Sequence, residues 1–134
     1  MVPPIVRQMI VCDDMTSEID SPSKLNAHGL AHAISPRSGD RYPLMHPQLS
    51  AFLLITGGVG SGRARVVVRS EESGLETFAS STHEIENPTE RNRVEGYLFR
   101  VRDCVFDKPG FYWVEFEYEG MTLAKQPLLL RPQS

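Results

Sequence analysis

Short apolar segments with alternating polar positions run along most of the chain, and ten prolines and ten glycines separate them. Apolar residues two positions apart share one face of a β-strand, and few stretches have the length and spacing of an amphipathic helix. Short apolar segments separated by turn-forming residues are typical of an all-β sandwich or barrel. We therefore predict a single-domain antiparallel β-sandwich over residues 1–134, with about 7–9 strands and Greek-key or immunoglobulin-like connections.

The pattern predicts strands at 5–13, 24–34, 48–56, 64–70, 75–86, 94–106, 111–120 and 121–132. The polar, turn-rich segments between them predict loops at 16–23, 35–47 and 87–93. Segment 24–34 also contains helix-favouring alanines and leucines, but Gly29 in its middle costs about 1 kcal/mol in a helix relative to alanine. Pro127 in the last segment indicates an edge strand or a bulge.

The clearest pattern lies near the C-terminus, where segments 94–106 and 111–120 flank the short connection DKPG. This arrangement predicts a β-hairpin closed at 107–110. In its second arm, one face carries Tyr112, Val114, Phe116 and Tyr118, and the other carries Trp113, Glu115, Glu117 and Glu119. In such a hairpin Arg100 and Arg102 would face the glutamates, in cross-strand pairs worth a few tenths to about 1 kcal/mol each.

Composition and charge narrow the class of protein. Hydrophobic residues make up 40% of the chain and charged residues 23%, which are ordinary values for a globular domain. The net charge is -3, with acids and bases interspersed, so we expect no nucleic-acid partner. No apolar run approaches the roughly 18 residues of a membrane span, and the N-terminus lacks the features of a signal peptide. We expect a cytoplasmic protein without membrane contact, in which Cys12 and Cys104 could pair but would ordinarily stay reduced.

The glycine spacing of TGGVGSGRA, residues 56–64, is close to that of a phosphate-binding loop. Such a loop needs a lysine, a hydroxyl side chain and a following helix. Here Arg63 and Ala64 occupy the first two positions, and the strand-like RVVVRS replaces the helix. We therefore predict no nucleotide cofactor and an exposed turn at 57–62 with at least one glycine at positive φ and no bound phosphate.

Asp13 and Asp14 follow an apolar strand and are candidate ligands for a divalent cation or a small molecule, with His28 as a further candidate. A hard cation needs several oxygen ligands, and acidic pairs at strand ends also serve solubility or turn capping. His28 and His32 have the spacing of a zinc-binding pair on a helix. On a strand they would lie about 13 Å apart, too far for one metal ion.

Two stretches taken together resemble a known family: IVCDDM followed by KLNAHGLAHAI near the start, and FDKPGFYWVEFEYEGMTLAKQPLLL near the end. The family consists of small uncharacterised bacterial proteins. Its members combine an N-terminal strand ending in Cys-Asp-Asp with a C-terminal unit of proline-glycine, an alternating aromatic strand, a glycine and a further strand. The resemblance covers most of the chain and implies a single β-sandwich domain with Greek-key-like connections. It implies no activity.

The sequence contains no GxSxG elbow and no defined Cys/His motif, so nothing in it points to nucleophilic catalysis. We therefore expect a non-enzymatic β-sandwich without a cofactor that acts through its surface, as a protein-interaction module or a homo-oligomeric accessory protein. Two alternatives stay open. One is a domain that binds a divalent cation or a small ligand through Asp13 and Asp14, and the other is a carbohydrate-binding module around Trp113, Tyr112 and Tyr118.

Overall fold

Ten β-strands form two sheets in the computed structural model, which describes residues 2–17, 25–87 and 93–132. They are β1 (Ile5–Ser17), β2 (Leu25–Leu30), β3 (Ala33–Ile34), β4 (Leu44–Thr56), β5 (Ser61–Ser70), β6 (Glu76–Ala79), β7 (His83–Glu86), β8 (Glu95–Phe106), β9 (Gly110–Tyr118) and β10 (Met121–Leu130). Within the described residues there is no helix, which confirms the all-β prediction. There are more strands than expected because segments 24–34 and 75–86 each divide into two.

The two sheets pack as a β-sandwich. The four-stranded sheet has the order β2-β1-β4-β8, and the six-stranded sheet has the order β3-β10-β9-β5-β6, with β7 also pairing with β5. Among the described strands the pairs are antiparallel except β3 with β10, which run parallel. Among the described strands the chain passes from one sheet to the other between β2 and β3, β3 and β4, β4 and β5, β7 and β8, and β8 and β9. Strands that are consecutive in the sequence are therefore often not neighbours in a sheet.

The core lies between the sheets and is built from alternate residues of the long central strands. On β4 these are Leu49, Ala51, Leu53 and Ile55. Phe99 of β8 and Phe116 of β9 meet across the core, with ring centroids 5.7 Å apart. Because side chains alternate along a strand, the residues between the core positions point to the outer face of each sheet.

The predicted hairpin between 94–106 and 111–120 is wrong. β8 pairs with β4 in the four-stranded sheet, whereas β9 pairs with β5 and β10 in the six-stranded sheet. The DKPG connection is a corner between the sheets, and the rings of Phe106 and Tyr112 pack on its inner side with centroids 5.0 Å apart. A short turn and two alternating strands suit a hairpin and a corner equally well, so the local pattern could not separate them.

The C-terminal hairpin is instead formed by β9 and β10. Its two-residue turn consists of Glu119 and Gly120, with φ of 49° and 78°. Positive φ at both positions is the requirement of a type I′ turn, the tightest common hairpin connection. Pro127 of β10 lies opposite Trp113 of β9, and β3 pairs with β10 only at Leu129 and Leu130. The prediction that Pro127 marks a strand with an open edge agrees with this pairing.

The glycine-rich connection between β4 and β5 spans the two sheets. Gly57 and Gly60 have φ of 75° and 81°, which confirms the predicted positive φ. The predicted exposure is only partly right, because Gly58 and Gly62 are buried. A Cβ at Gly62 would lie 2.2 Å from the Tyr118 ring, so this glycine is required by close packing.

Two predicted loops fall largely outside the described residues. β1 extends through Thr16 and Ser17, and the rest of the predicted loop 16–23 is not described. The same holds for residues 88–92 of the predicted loop 87–93. β4 begins at Leu44, earlier than predicted, and includes Pro47. Pro47 is tolerated because it lies at a gap in the ladder to β8, opposite Asp103, whose φ is 54°.

Candidate functional site

Asp13, on β1, is held in place by residues of β2 and β4. Its backbone carbonyl accepts hydrogen bonds from Gln48 Nε2 at 3.1 Å and from Ser50 Oγ at 3.0 Å. Its Oδ1 lies 2.8 Å from Nε2 of His46. An ionised carboxylate only accepts hydrogen bonds, so the imidazole N–H is the donor. Asp13 therefore bridges β1 and β4 just beyond their last backbone pair, Cys12 with Ser50.

Gly29 of β2 makes room for this carboxylate. Its φ is 66°, and a Cβ at this position would lie 2.5 Å from Oδ2 of Asp13. Atoms cannot approach so closely, so any side chain at position 29 would displace the carboxylate. Gly29 thus has two reasons to be glycine: a left-handed backbone and the contact with Asp13.

Asp13 and His46 open into a cleft of about 460 Å³, here called the Asp13 cleft. Apolar side chains of Ile34, Leu44 and Phe106 contribute to its walls, and Arg37 and Asp40 contribute charged groups. The side chain of Asp13 is 53% exposed and that of His46 is 20% exposed. The pair is therefore fixed by its protein contacts and still accessible to a ligand.

Asp14 has different partners from Asp13. Its Oδ1 accepts hydrogen bonds from the Met15 backbone N–H at 2.8 Å and from Arg100 Nη2 at 3.2 Å. The bond from Met15 lowers the pKa of Asp14; desolvation opposes this shift, and Arg100 adds to it. Asp14 is thus an ion-pair partner of Arg100, and the structure does not bring it together with Asp13 as a ligand pair.

The described residues contain no group of three or more His, Cys, Asp or Glu side chains that could hold a metal ion. Asp13 contacts His46, Asp14 contacts Arg100, and Nε2 of His28 lies 2.8 Å from Oγ1 of Thr16. β2 ends at Leu30, so His28 and His32 do not share one strand. The candidate cation ligands named from the sequence have separate partners.

A second surface lies on the side of the four-stranded sheet that faces away from the core. Six apolar residues cluster there: Ile10, Cys12, Met15, Phe52, Leu54 and Leu98. We call them the outer apolar face. A groove of about 560 Å³ runs along it, and Leu25 and Val94, which also line the groove, are 40% and 55% exposed.

The corresponding face of the six-stranded sheet is charged. Arg65 contacts Glu117 at 3.0 Å and Glu76 at 2.7 Å. Arg69 contacts Glu115 at 3.2 Å and Glu117 at 3.3 Å. The arginines come from β5, so the predicted pairing of the glutamates with Arg100 and Arg102 is wrong, as the hairpin on which it depended does not form. These side chains form a ladder of ion pairs along β5 and β9.

Trp113 belongs to this charged face. The ammonium group of Lys125 lies 4.4 Å from the centroid of its ring, a cation–π contact. The indole Nε1 donates a 3.4 Å hydrogen bond to Glu71. Tyr112 and Tyr118 are buried in the core. The sequence prediction that these tyrosines face away from Trp113 is confirmed, and they form no aromatic platform with it.

Both cysteines are buried and free. Cys12 belongs to the outer apolar face and Cys104 to the core between the sheets. Burial raises the pKa of the Cys104 thiol to about 11, and Asp103 adds to the effect. Burial, followed by Asp14 and Asp13, also raises the pKa of Cys12. Both thiols are therefore protonated at neutral pH, a state of low nucleophilicity.

The sequence carries no signal for His46 as a partner of Asp13. The two residues are 33 positions apart, on different strands. Their contact depends on the pairing of β1 with β4, which skips β2 and β3. Gly29 could be recognised as unusual for a strand, but its contact with Asp13 depends on the register of β1 and β2.

Within the described residues, the fold defines an all-β sandwich with a charged outer face, an apolar outer face and a cleft lined by both polar and apolar side chains. The chain belongs to a family of unknown function (DUF6941), whose model matches residues 7–131. This supports the expected membership of an uncharacterised family. No curated protein matches the chain. Within the described ranges, no helix has the length and apolarity that crossing a bilayer requires.

Proposed function

We propose that the protein is a non-enzymatic interaction module whose binding surface is the outer apolar face. The observation that carries this proposal is the contrast between the two sheets. The six-stranded sheet covers its outside with paired arginines and glutamates, whereas the outside of the four-stranded sheet carries a cluster of apolar side chains, half of them buried and half partly exposed, beside a groove with the exposed Leu25 and Val94. A sheet face that remains in water is normally polar, and a contiguous apolar patch marks an interaction site.

The occupant we propose is a second copy of this chain. Each copy carries both parts of an apolar contact: the groove, and the exposed side chains of Leu25 and Val94 beside it. In a two-fold contact each surface meets an identical one, so the projecting residues of one copy can enter the groove of the other. The single chain therefore supplies a self-complementary surface.

The charges beside the face are compatible with its burial. Arg100 lies two residues beyond Leu98 on β8 and is paired with Asp14 at 3.2 Å. Burial of an unpaired charge in an interface is costly, whereas a paired charge leaves a much smaller penalty. Docking of a second copy therefore does not leave Arg100 buried without a partner.

The test is the molar mass in solution, measured by sedimentation equilibrium at micromolar concentration. The wild-type chain is expected to be a dimer. Leu25→Asp combined with Val94→Asp places charges beside the groove and is expected to yield a monomer. The matched control is Leu75→Asp combined with Val59→Asp, at a leucine and a valine that are 68% and 59% exposed and do not line the groove.

The control variant is expected to stay dimeric. A monomeric wild-type chain would overturn the proposal, and so would a groove variant that dimerises as well as the control. A control variant that also becomes monomeric would show that added charge, and not the groove, governs association. Dispersed amide spectra of each variant establish that the comparison is between folded proteins.

Several further properties of the protein are proposed from the sequence alone. They are a bacterial origin, a Cys-Asp-Asp strand end as a family feature, a cytoplasmic location, and the absence of nucleic-acid and membrane partners. The organisation of residues 1–134 as a single domain also stays a prediction.

The carbohydrate-binding alternative has no supporting observation, because Lys125 lies against the Trp113 ring.

A further inference from the structure

We infer that the Asp13 cleft binds a small organic cation: an ammonium or guanidinium group carried on an apolar body. This site is separate from the proposed interaction surface. Its lining residues differ from those of the groove on the outer apolar face. The inference does not depend on whether the chain forms dimers.

The Asp13 carboxylate is held in one position by its neighbours. An exposed aspartate ordinarily samples several rotamers, and ordering its side chain opposes ligand binding. Here His46 fixes one carboxylate oxygen, Gln48 and Ser50 fix the backbone carbonyl, and Gly29 leaves space for the side chain. The carboxylate is thus preorganised while more than half of its side chain stays exposed.

The cleft is large enough for a small organic molecule. Its volume of about 460 Å³ lies in the range of small-molecule sites. Ile34, Leu44 and Phe106 provide apolar contacts next to the Asp13–His46 pair. A ligand with a polar head and an apolar body therefore matches the lining better than an inorganic ion does.

The charged groups of the cleft favour a ligand with a positive head group. The lining contains the carboxylates of Asp13 and Asp40 and the guanidinium of Arg37, and the carboxylate held in place at the His46 side of the cleft is that of Asp13. Oδ2 of Asp40 also accepts a 3.3 Å hydrogen bond from the Arg37 backbone N–H. An anionic head would be repelled by the fixed carboxylate of Asp13, whereas a cation gains a charge-assisted hydrogen bond.

Three probes that share one body and differ in the head group test the inference. They are 2-phenylethylamine, 3-phenylpropionate and 2-phenylethanol, each titrated into ¹⁵N-labelled wild-type protein and followed by amide chemical shifts. The amine is expected to shift amides around the cleft, those of Leu44 and Met45 among them. It is expected to bind about tenfold more tightly than the acid or the alcohol, as for a hydrogen bond to a charged group.

Asp13→Asn removes the charge and keeps the shape, and it is expected to reduce the affinity for the amine by about tenfold. The matched control is Asp107→Asn, at an exposed aspartate outside the cleft, which is expected to bind as the wild type does. Met45→Lys provides a second variant, at an exposed residue of the cleft where folding is not at risk. Its ammonium group would compete with the amine and weaken binding.

Equal binding of the three probes would overturn the inference, as would the absence of any amine-induced shift. An affinity that neither Asp13→Asn nor Met45→Lys changes would place the amine elsewhere and would also overturn it. If Asp13→Asn does not fold, Met45→Lys decides the outcome, and unchanged amine binding in that variant would again be contradictory.

Discussion

Asp13 and Gly29 lie so close together that neither position can change independently of the other. The carboxylate occupies the space that any side chain at position 29 would fill. The same carboxylate contacts His46, so a displacement would be passed on to the imidazole. The geometry of the Asp13 cleft therefore depends on a residue with no functional group of its own.

Gly29→Ala is expected to lower the free energy of unfolding more than Gly74→Ala does. Both glycines have positive φ, 66° and 71°, so alanine in this left-handed conformation costs about 1–2 kcal/mol at either position. Nothing lies within 4 Å of a Cβ at Gly74, whereas one at Gly29 meets Asp13. The steric conflict adds about 1–3 kcal/mol, measurable by urea denaturation. Equal losses in the two variants would contradict the contact.

The outer face of the six-stranded sheet is charged because the fold places β5 beside β9. β9 carries Glu115 and Glu117 on the side opposite its core residues, and β5 lies beside it with Arg65 and Arg69. Burial alone would lower the pKa of Arg65, but hydrogen bonds and charge interactions with Glu76 and Glu117 outweigh it and raise the pKa. The ladder therefore depends on the pairing of β5 with β9.

Glu117→Ala is expected to lower the free energy of unfolding by about 1 kcal/mol, because Arg65 and Arg69 lose their shared partner but are partly exposed and keep other carboxylates. Glu84→Ala is the control, at an exposed glutamate of β7 where substitutions usually change stability by less than about 0.5 kcal/mol. Chemical denaturation followed by circular dichroism measures both. A loss at Glu117 no larger than at Glu84 would show that the ladder contributes no net stability.

Within the described residues, both sheets contribute to the buried cluster that lies between them. Leu53 of β4, Phe99 of β8 and Phe116 of β9 belong to the same buried cluster. Neither sheet buries its inner face without the other. Small domains with a single core usually unfold in one cooperative step.

Urea unfolding is therefore expected to show the same midpoint for two probes, one in each sheet. The single tryptophan, Trp113, reports on the six-stranded sheet by fluorescence, and Cys12 and Cys104 report on the four-stranded sheet by reaction with a thiol reagent at pH 8. The Cys104 thiol, with its pKa near 11, should not react before unfolding because it is buried and protonated. Two separate midpoints would show that the sheets unfold independently.

Much of the local structure could be predicted from the sequence. The all-β class, the inward face of β9 and the positive φ in the β4–β5 turn follow from alternation and from glycine positions. The hairpin prediction failed because β8 and β9 have the right local pattern but belong to different sheets. The prediction of one strand over 24–34 failed for the same reason, because β2 and β3 pair with strands of different sheets through contacts that are distant in sequence.

The candidate site was predicted in part. Asp13 was identified from its place after an apolar strand, but His46 and Gly29 reach it only through the pairing of β1 with β4 and β2. Side-chain alternation is a property of each strand's own backbone and can be seen in the sequence. The choice of neighbouring strands, and with it the Asp13 cleft and the outer apolar face, depends on how the whole chain buries its apolar surface. That choice exists only in the folded molecule.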